Sequence, residues 1–139
     1  MAANGHRSVP HTADARVQAW GSTREACLAE AVLGVVECFA EVSGVRPTAV
    51  DRLLLEPGSD EDMLVELLDE IVLGFELAGR VPVDVEVETA DDGGLEVRAA
   101  VAALTDVDVT GATPKSVSWE GLRIGPDAEG WSCTAIVDV

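Results

Sequence analysis

Along this chain the apolar positions recur at two different periods, and the switches between them outline a fold. In "ARVQAW" (15–20) Val17 and Ala19 alternate with their neighbours, the period-2 signature of a strand with one buried face, so a first strand follows directly on Asp14. The period then lengthens. "GSTREACLAEAVLGVVECFAEVSG" puts Leu28, Val32, Val35 and Phe39 on one helical face and ends at Gly44, while Ser22 and Glu25 stand at capping-box spacing. A cap at Ser22 would satisfy free N-terminal amides, and its replacement by alanine would cost about 0.5–2 kcal/mol.

"TAVDRLLLE" (48–56) reads as a strand closed by the turn "PGSD". A second helix starts near Ser59 or Asp60, buries Leu64, Leu67, Leu68, Ile71 and Phe75, and stops at Gly79. "VPVDVEVET" (81–89) and "LEVRAAVAAL" (95–104) alternate on either side of "ADDGG" and form a hairpin. "TDVDVTGATP" mixes its periods and is broken by Gly and Pro, as a loop would be. "KSVSWEGLRI" and "WSCTAIVDV" flank "GPDAEG" as a last hairpin running to the chain end. The order β-α-β-α-β-β-β-β predicts an α+β fold with two helices packed on a mixed, mostly antiparallel sheet. The two strand-helix units near the start suggest an internal duplication. At 139 residues, the whole of 1–139 is expected to be a single domain.

Charge changes the picture of what such a domain could bind. The 26 acidic residues outnumber the 9 basic ones for a formal charge of −17, and Lys115 is the sole lysine. Direct binding of nucleic acid is not expected, because phosphate backbones are held by clustered Lys and Arg that release counterions. A basic protein or a cation is the better-matched partner, although such acidity also serves solubility in an acidic proteome. No apolar run approaches the roughly eighteen residues that cross a bilayer, and "MAANGHRSVPHTAD" lacks the apolar stretch of a signal peptide, so no membrane partner and a cytoplasmic location are expected.

Candidate chemistry narrows to carboxylates. There is no GxSxG elbow, no GxxxxGK[ST] and no GxGxxG, and only His6 and His11 could act as imidazole bases, which disfavours a stand-alone hydrolase, kinase or dehydrogenase. Cys27, Cys38 and Cys133 lack metal-ligand spacing and read as reduced core thiols, the first two lying roughly 16 Å apart if they share one helix. Asp60, Glu61 and Asp62 suit the positive end of a helix dipole, though a metal site there is conceivable. Glu66 and Glu70, at i and i+4, face away from the apolar stripe as a solvated surface. Asp138 stands apart. With Val139 it puts a side-chain carboxylate and the terminal α-carboxylate on consecutive residues, two anionic groups that would raise each other's pKa unless a cation compensates. Oxygen-only donors select hard ions such as Ca²⁺, Mg²⁺ or Mn²⁺.

"HTADARVQAWGSTREACLAEAVLGVVECF", "LVELLDEIVLGFE", "PKSVSWEGLRI" and the terminal "GWSCTAIVDV" together resemble the archease family, in order and over essentially the whole chain. The resemblance implies two intertwined strand-helix units and a divalent metal site made by Asp14, Asp138 and Val139, with the strand after Asp14 beside the last strand. It further implies an accessory protein that promotes guanylylation and multiple turnover of an RtcB-type RNA ligase in tRNA splicing or RNA repair, and is not itself an enzyme. Lys115 would then touch a phosphate or an acidic group of the ligase, with His11 and Glu70 as further candidates for partner contact. The alternative is a chaperone-like or ligand-binding module on the same scaffold, without a ligase partner. Three positions depart from the family's pattern: Glu120 stands for a usual His, Pro10 for a usual acidic residue, and "AALTDVD" lacks a usual Gly-Glu pair.

Overall fold

A computed structural model describes residues 3–10 and 14–139. Its organising strand is β2 (Asp14–Gly21), where Ala15, Val17 and Ala19 are buried and the intervening side chains point outward. The stretch before it is also a strand, β1 (Gly5–Pro10), which pairs with β2 from Gly5 opposite Trp20 to Pro10 opposite Ala15. Nothing in its weakly apolar sequence signals this, since β1 is an edge strand held by its partner. The last hairpin completes the sheet: β8 (Ser116–Asp127) and β9 (Gly130–Asp138) give the order β1-β2-β9-β8.

Helix α1 (Arg24–Glu37) lies across β1, β2 and β9. Its cap is Thr23, whose side chain accepts from the Ala26 N–H, and not Ser22; the Ser22 N–H instead donates to the Asn4 side chain. The helix also stops at Cys38, well short of Gly44, so Phe39 lies beyond it. Phe39 is nonetheless fully buried, its ring 4.7 Å from that of Phe75. This aromatic contact draws the chain out of the helix and into the short strand β3 (Ala40–Glu41). Close approach of α1 to the sheet requires Gly34, where a Cβ would stand 2.5 Å from a Val17 methyl.

The second layer is the sheet made by β4 (Ala49–Leu55), β5 (Arg80–Thr89) and β6 (Leu95–Ala103), and α2 (Asp60–Ala78), like α1, packs between it and the first sheet, chiefly on β8. The strands of this second layer are ordered β4-β6-β5, and a third, two-stranded sheet includes β3. All the observed pairings are antiparallel. Ser59 caps α2 by accepting from the Asp62 N–H, and Gly79 ends it in the left-handed region at φ 58°, both as the sequence predicts. Within the expected loop after β6, a 3-10 turn and the two-residue strand β7 (Asp108–Val109) pair the chain back onto β3.

The core runs continuously between the layers, through Val17, Leu28, Val32, Val35, Leu64, Leu68, Phe75, Val97 and Val137. Cys27 and Cys133 belong to it, Cys38 is half-buried, and all three are free. Arg24 ties the layers together at their rim, donating from one Nη to Asp60 and from the other to Thr89, both at 2.9 Å. Asp60 therefore has an ion-pair partner in α1 as well as the helix dipole. Among the described residues, no helix is long and apolar enough to cross a membrane.

Two consequences are measurable. Thr23→Ala should lower unfolding stability by about 0.5–2 kcal/mol in chemical denaturation, and Ser22→Ala by clearly less. The second concerns His6 on β1, whose Nδ1 lies 2.8 Å from Glu30 and Nε2 2.6 Å from Glu37, both on α1. Burial alone would lower its pKa, but the hydrogen bonds and charges of Glu30 and Glu37 outweigh burial and raise it. A raised folded-state pKa gives stability that is fully present below the unfolded value near 6.5 and lost as pH rises through the folded value. The stability gap between the wild type and His6→Gln, read from urea midpoints, should therefore be largest near pH 6 and shrink by pH 9.

Candidate functional site

The site is assembled by strand register. β2 and β9 run antiparallel as the two central strands of their sheet, with Val17 opposite Ala135 and Ala19 opposite Cys133. The same ladder ends with Asp14 opposite Asp138. Residues directly opposite one another carry Cβ atoms roughly 4.5–5.5 Å apart, so the two carboxylates emerge on one face at adjacent points. Asp14 is half-buried and Asp138 exposed. Like charges so placed repel, and no basic side chain forms an ion pair with either among the described residues.

β8 supplies the other wall. Ser116 is opposite Asp138, and its hydroxyl donates to Asp138 Oδ2 at 2.8 Å. The Lys115 backbone N–H donates to the Asp138 carbonyl at 2.7 Å, which anchors the strand end that carries the exposed Lys115 side chain. Val139 is half-buried and packs against the core, so the residue after Asp138 is held in place. Ser116 is a neighbour that sequence reasoning missed, because only the β8–β9 register reveals it.

Asp69 of α2 is a further carboxylate near this wall. It lies beside β8, where burial pushes its carboxyl pKa up, the Val117 N–H opposes that shift, and the charge of Glu70 adds to it. Glu70 is exposed on α2, and no hydrogen bond or ion pair among the described residues joins it to Asp14 or Asp138. Glu66 is likewise exposed. His11 lies outside the described residues.

As a donor set the arrangement is oxygen-only: two carboxylates, one of them oriented by a serine hydroxyl, beside the Val139 end. The described residues contain no group of three or more His, Cys, Asp and Glu side chains placed to hold a metal ion. Asp14 and Asp138 make two such donors, so a cation would need a further oxygen, which a C-terminal carboxylate on Val139 could provide. The chemistry of these donors fits a hard divalent cation rather than Zn²⁺.

The chain is thus a strongly acidic α+β protein with paired carboxylates at the end of its central strands. The chain matches the archease protein family (MTH1598/TM1083) over residues 6–139, and it belongs to that family. It is 38% identical over 136 residues to a Mycobacterium tuberculosis protein named "Probable protein archease", covering 98% of this chain and 75% of that one. It is 26% identical over 134 residues to the archease of Methanosarcina barkeri, covering 93% and 92%. Protein 1598 of Methanobacterium thermoautotrophicum shares the fold at a TM-score of 0.70 and 20% identity, covering 97% of this chain and 99% of that one. So does a Thermotoga maritima archease described as a possible chaperone, at 0.62 and 17%, covering 96% of each.

Repulsion between the paired carboxylates has a direct signature. In the presence of a chelator, Asp14→Asn should raise the unfolding free energy by about 0.2–1 kcal/mol, measured by equilibrium denaturation.

Proposed function

We propose that this archease-family protein is a cytoplasmic, metal-dependent helper of an RtcB-type RNA ligase, promoting guanylylation of the ligase and its repeated turnover in tRNA splicing or RNA repair. The observation that carries this reading is the register that sets Asp14 opposite Asp138, next to Val139. Asp14, Asp138 and the carboxylate of Val139 would hold a Ca²⁺, Mg²⁺ or Mn²⁺ ion. When bound, that ion would supply positive charge against phosphoryl oxygens, where phosphoryl transfer develops negative charge. Ser116 keeps one Asp138 oxygen oriented through its hydroxyl. Lys115, fixed to β9 through its backbone, brings the chain's sole lysine to the same strand end, suited to a phosphate or an acidic ligase group. The net charge of −17 favours docking on a basic, RNA-binding enzyme and disfavours contact with the RNA itself.

A chaperone-like role without a ligase is the second reading, favoured by the description of the Thermotoga relative as a possible chaperone. A guanylylation assay with the RtcB-type ligase of the same organism separates the two. Wild-type protein should accelerate formation of the guanylylated ligase, and Asp14→Ala or Asp138→Ala should abolish most of that acceleration. No acceleration of a competent ligase by the wild type would remove the ligase reading. By calorimetry, residues appended after Val139 should weaken Ca²⁺ or Mn²⁺ binding, and unchanged affinity would refute a ligand at the chain terminus.

A further inference from the structure

β8 carries a feature that neither the sheet nor the carboxylate pair requires. Its register against β9 breaks between Ser118, opposite Ile136, and Arg123, opposite Thr134, so that residues 119–122 face Ala135 alone. Such a bulge forfeits ladder hydrogen bonds and is found where a strand must re-aim a side chain, often at sheet edges and beside functional sites. Gly121 makes the bend possible at φ 75°. The irregular stretch opens with Trp119. It is 58% exposed, whereas Trp20 and Trp131 are half-buried.

An exposed tryptophan on an edge strand gives up apolar burial for no internal gain, and tryptophan is the side chain most enriched at the energetic centres of protein interfaces. Its position matters as much as its exposure. Trp119 lies three residues from Ser116, the partner of Asp138, about 10 Å along an extended strand. Glu120 follows it, Lys115 and Arg123 stand four residues to either side, and α2, packed against β8, carries the exposed Asp69 and Glu70.

We infer that Trp119 is the apolar anchor of a docking surface for a basic partner protein, seating the carboxylate end of the central strands against that partner. The occupant is a protein surface of positive potential that offers an apolar pocket to the indole. Charge complementarity with a chain of −17 selects it, and the same charge argues against stacking of Trp119 on a single-stranded nucleic acid. The choice of an RtcB-type ligase as the test partner rests on the function proposed above.

The test is equilibrium binding of the full-length protein to that ligase, measured beside the guanylylation assay. Trp119→Ala should weaken binding at least roughly tenfold, as loss of an interface anchor does, while thermal unfolding stays at the wild-type temperature. Leu54→Ala, which removes a side chain 71% exposed on the other sheet, should leave binding unchanged. In the guanylylation assay Trp119→Ala should raise the half-saturating concentration and spare the maximal rate. Equal affinity of wild type and Trp119→Ala overturns the inference, as does absence of binding by the wild type or Trp119-dependent binding of a single-stranded RNA oligonucleotide. Binding that needs Trp119 without any acceleration upholds the docking surface and overturns the proposed activity instead.

Discussion

The antiparallel pairing of β2 with β9 is the constraint on which both the core and the site depend. Its alternation places Ala15, Val17 and Ala19 on one strand, and Cys133, Ala135 and Val137 on the other, toward α1. A slip of one residue would turn those side chains to solvent and is therefore forbidden by burial. A slip of two would keep the faces but part Asp14 from Asp138 by about 6.6 Å. The hydrophobic pattern thus fixes parity, while the flanking strands fix the remaining choice: β1 pairs along β2, and β8 pins β9 through Ser116 and Lys115. A site whose two halves lie 124 positions apart in sequence exists only once this sheet is closed.

An acidic chain must also offset its own repulsion. Part of that repulsion is offset by a few cations used locally. Arg24 links α1 to α2 and β5, Arg52 and Arg98 hold carboxylates on the face of the second sheet, and His6 sits between Glu30 and Glu37. The end of the central strands is one place without such a cation among the described residues. There two carboxylates face each other with a hydroxyl donor and no ion-paired basic side chain among the described residues. Like charges set directly opposite one another, with no paired base, are the physical reason to look for a cation or a cationic partner at that point.

Much of this was legible in the sequence, for definable reasons. Helix α2 has both of its caps and its whole apolar stripe in local signals, and the β5–β6 hairpin is a clean alternation. What failed was decided by tertiary contact. Thr23 and not Ser22 caps α1, its hydroxyl accepting from Ala26, while the Ser22 N–H donates to Asn4, a residue eighteen positions away. Phe39 continues the helical spacing of α1, yet its pairing with Phe75 takes it out of the helix. β1, β3 and β7 are short or polar strands that only a partner strand reveals. At the site, Asp138 stood out by its place beside Val139 and Asp14 was named through likeness to a family; their juxtaposition, and Ser116 with it, belong to register and not to any local motif.

The most direct test of a cation held by this register is a crystal structure of the protein soaked in Ca²⁺. The expected result is a peak about 2.3–2.6 Å from carboxylate oxygens of both Asp14 and Asp138, with a further oxygen from Val139. Calcium bound elsewhere, or two carboxylates bridged by water alone at saturating Ca²⁺, would contradict it.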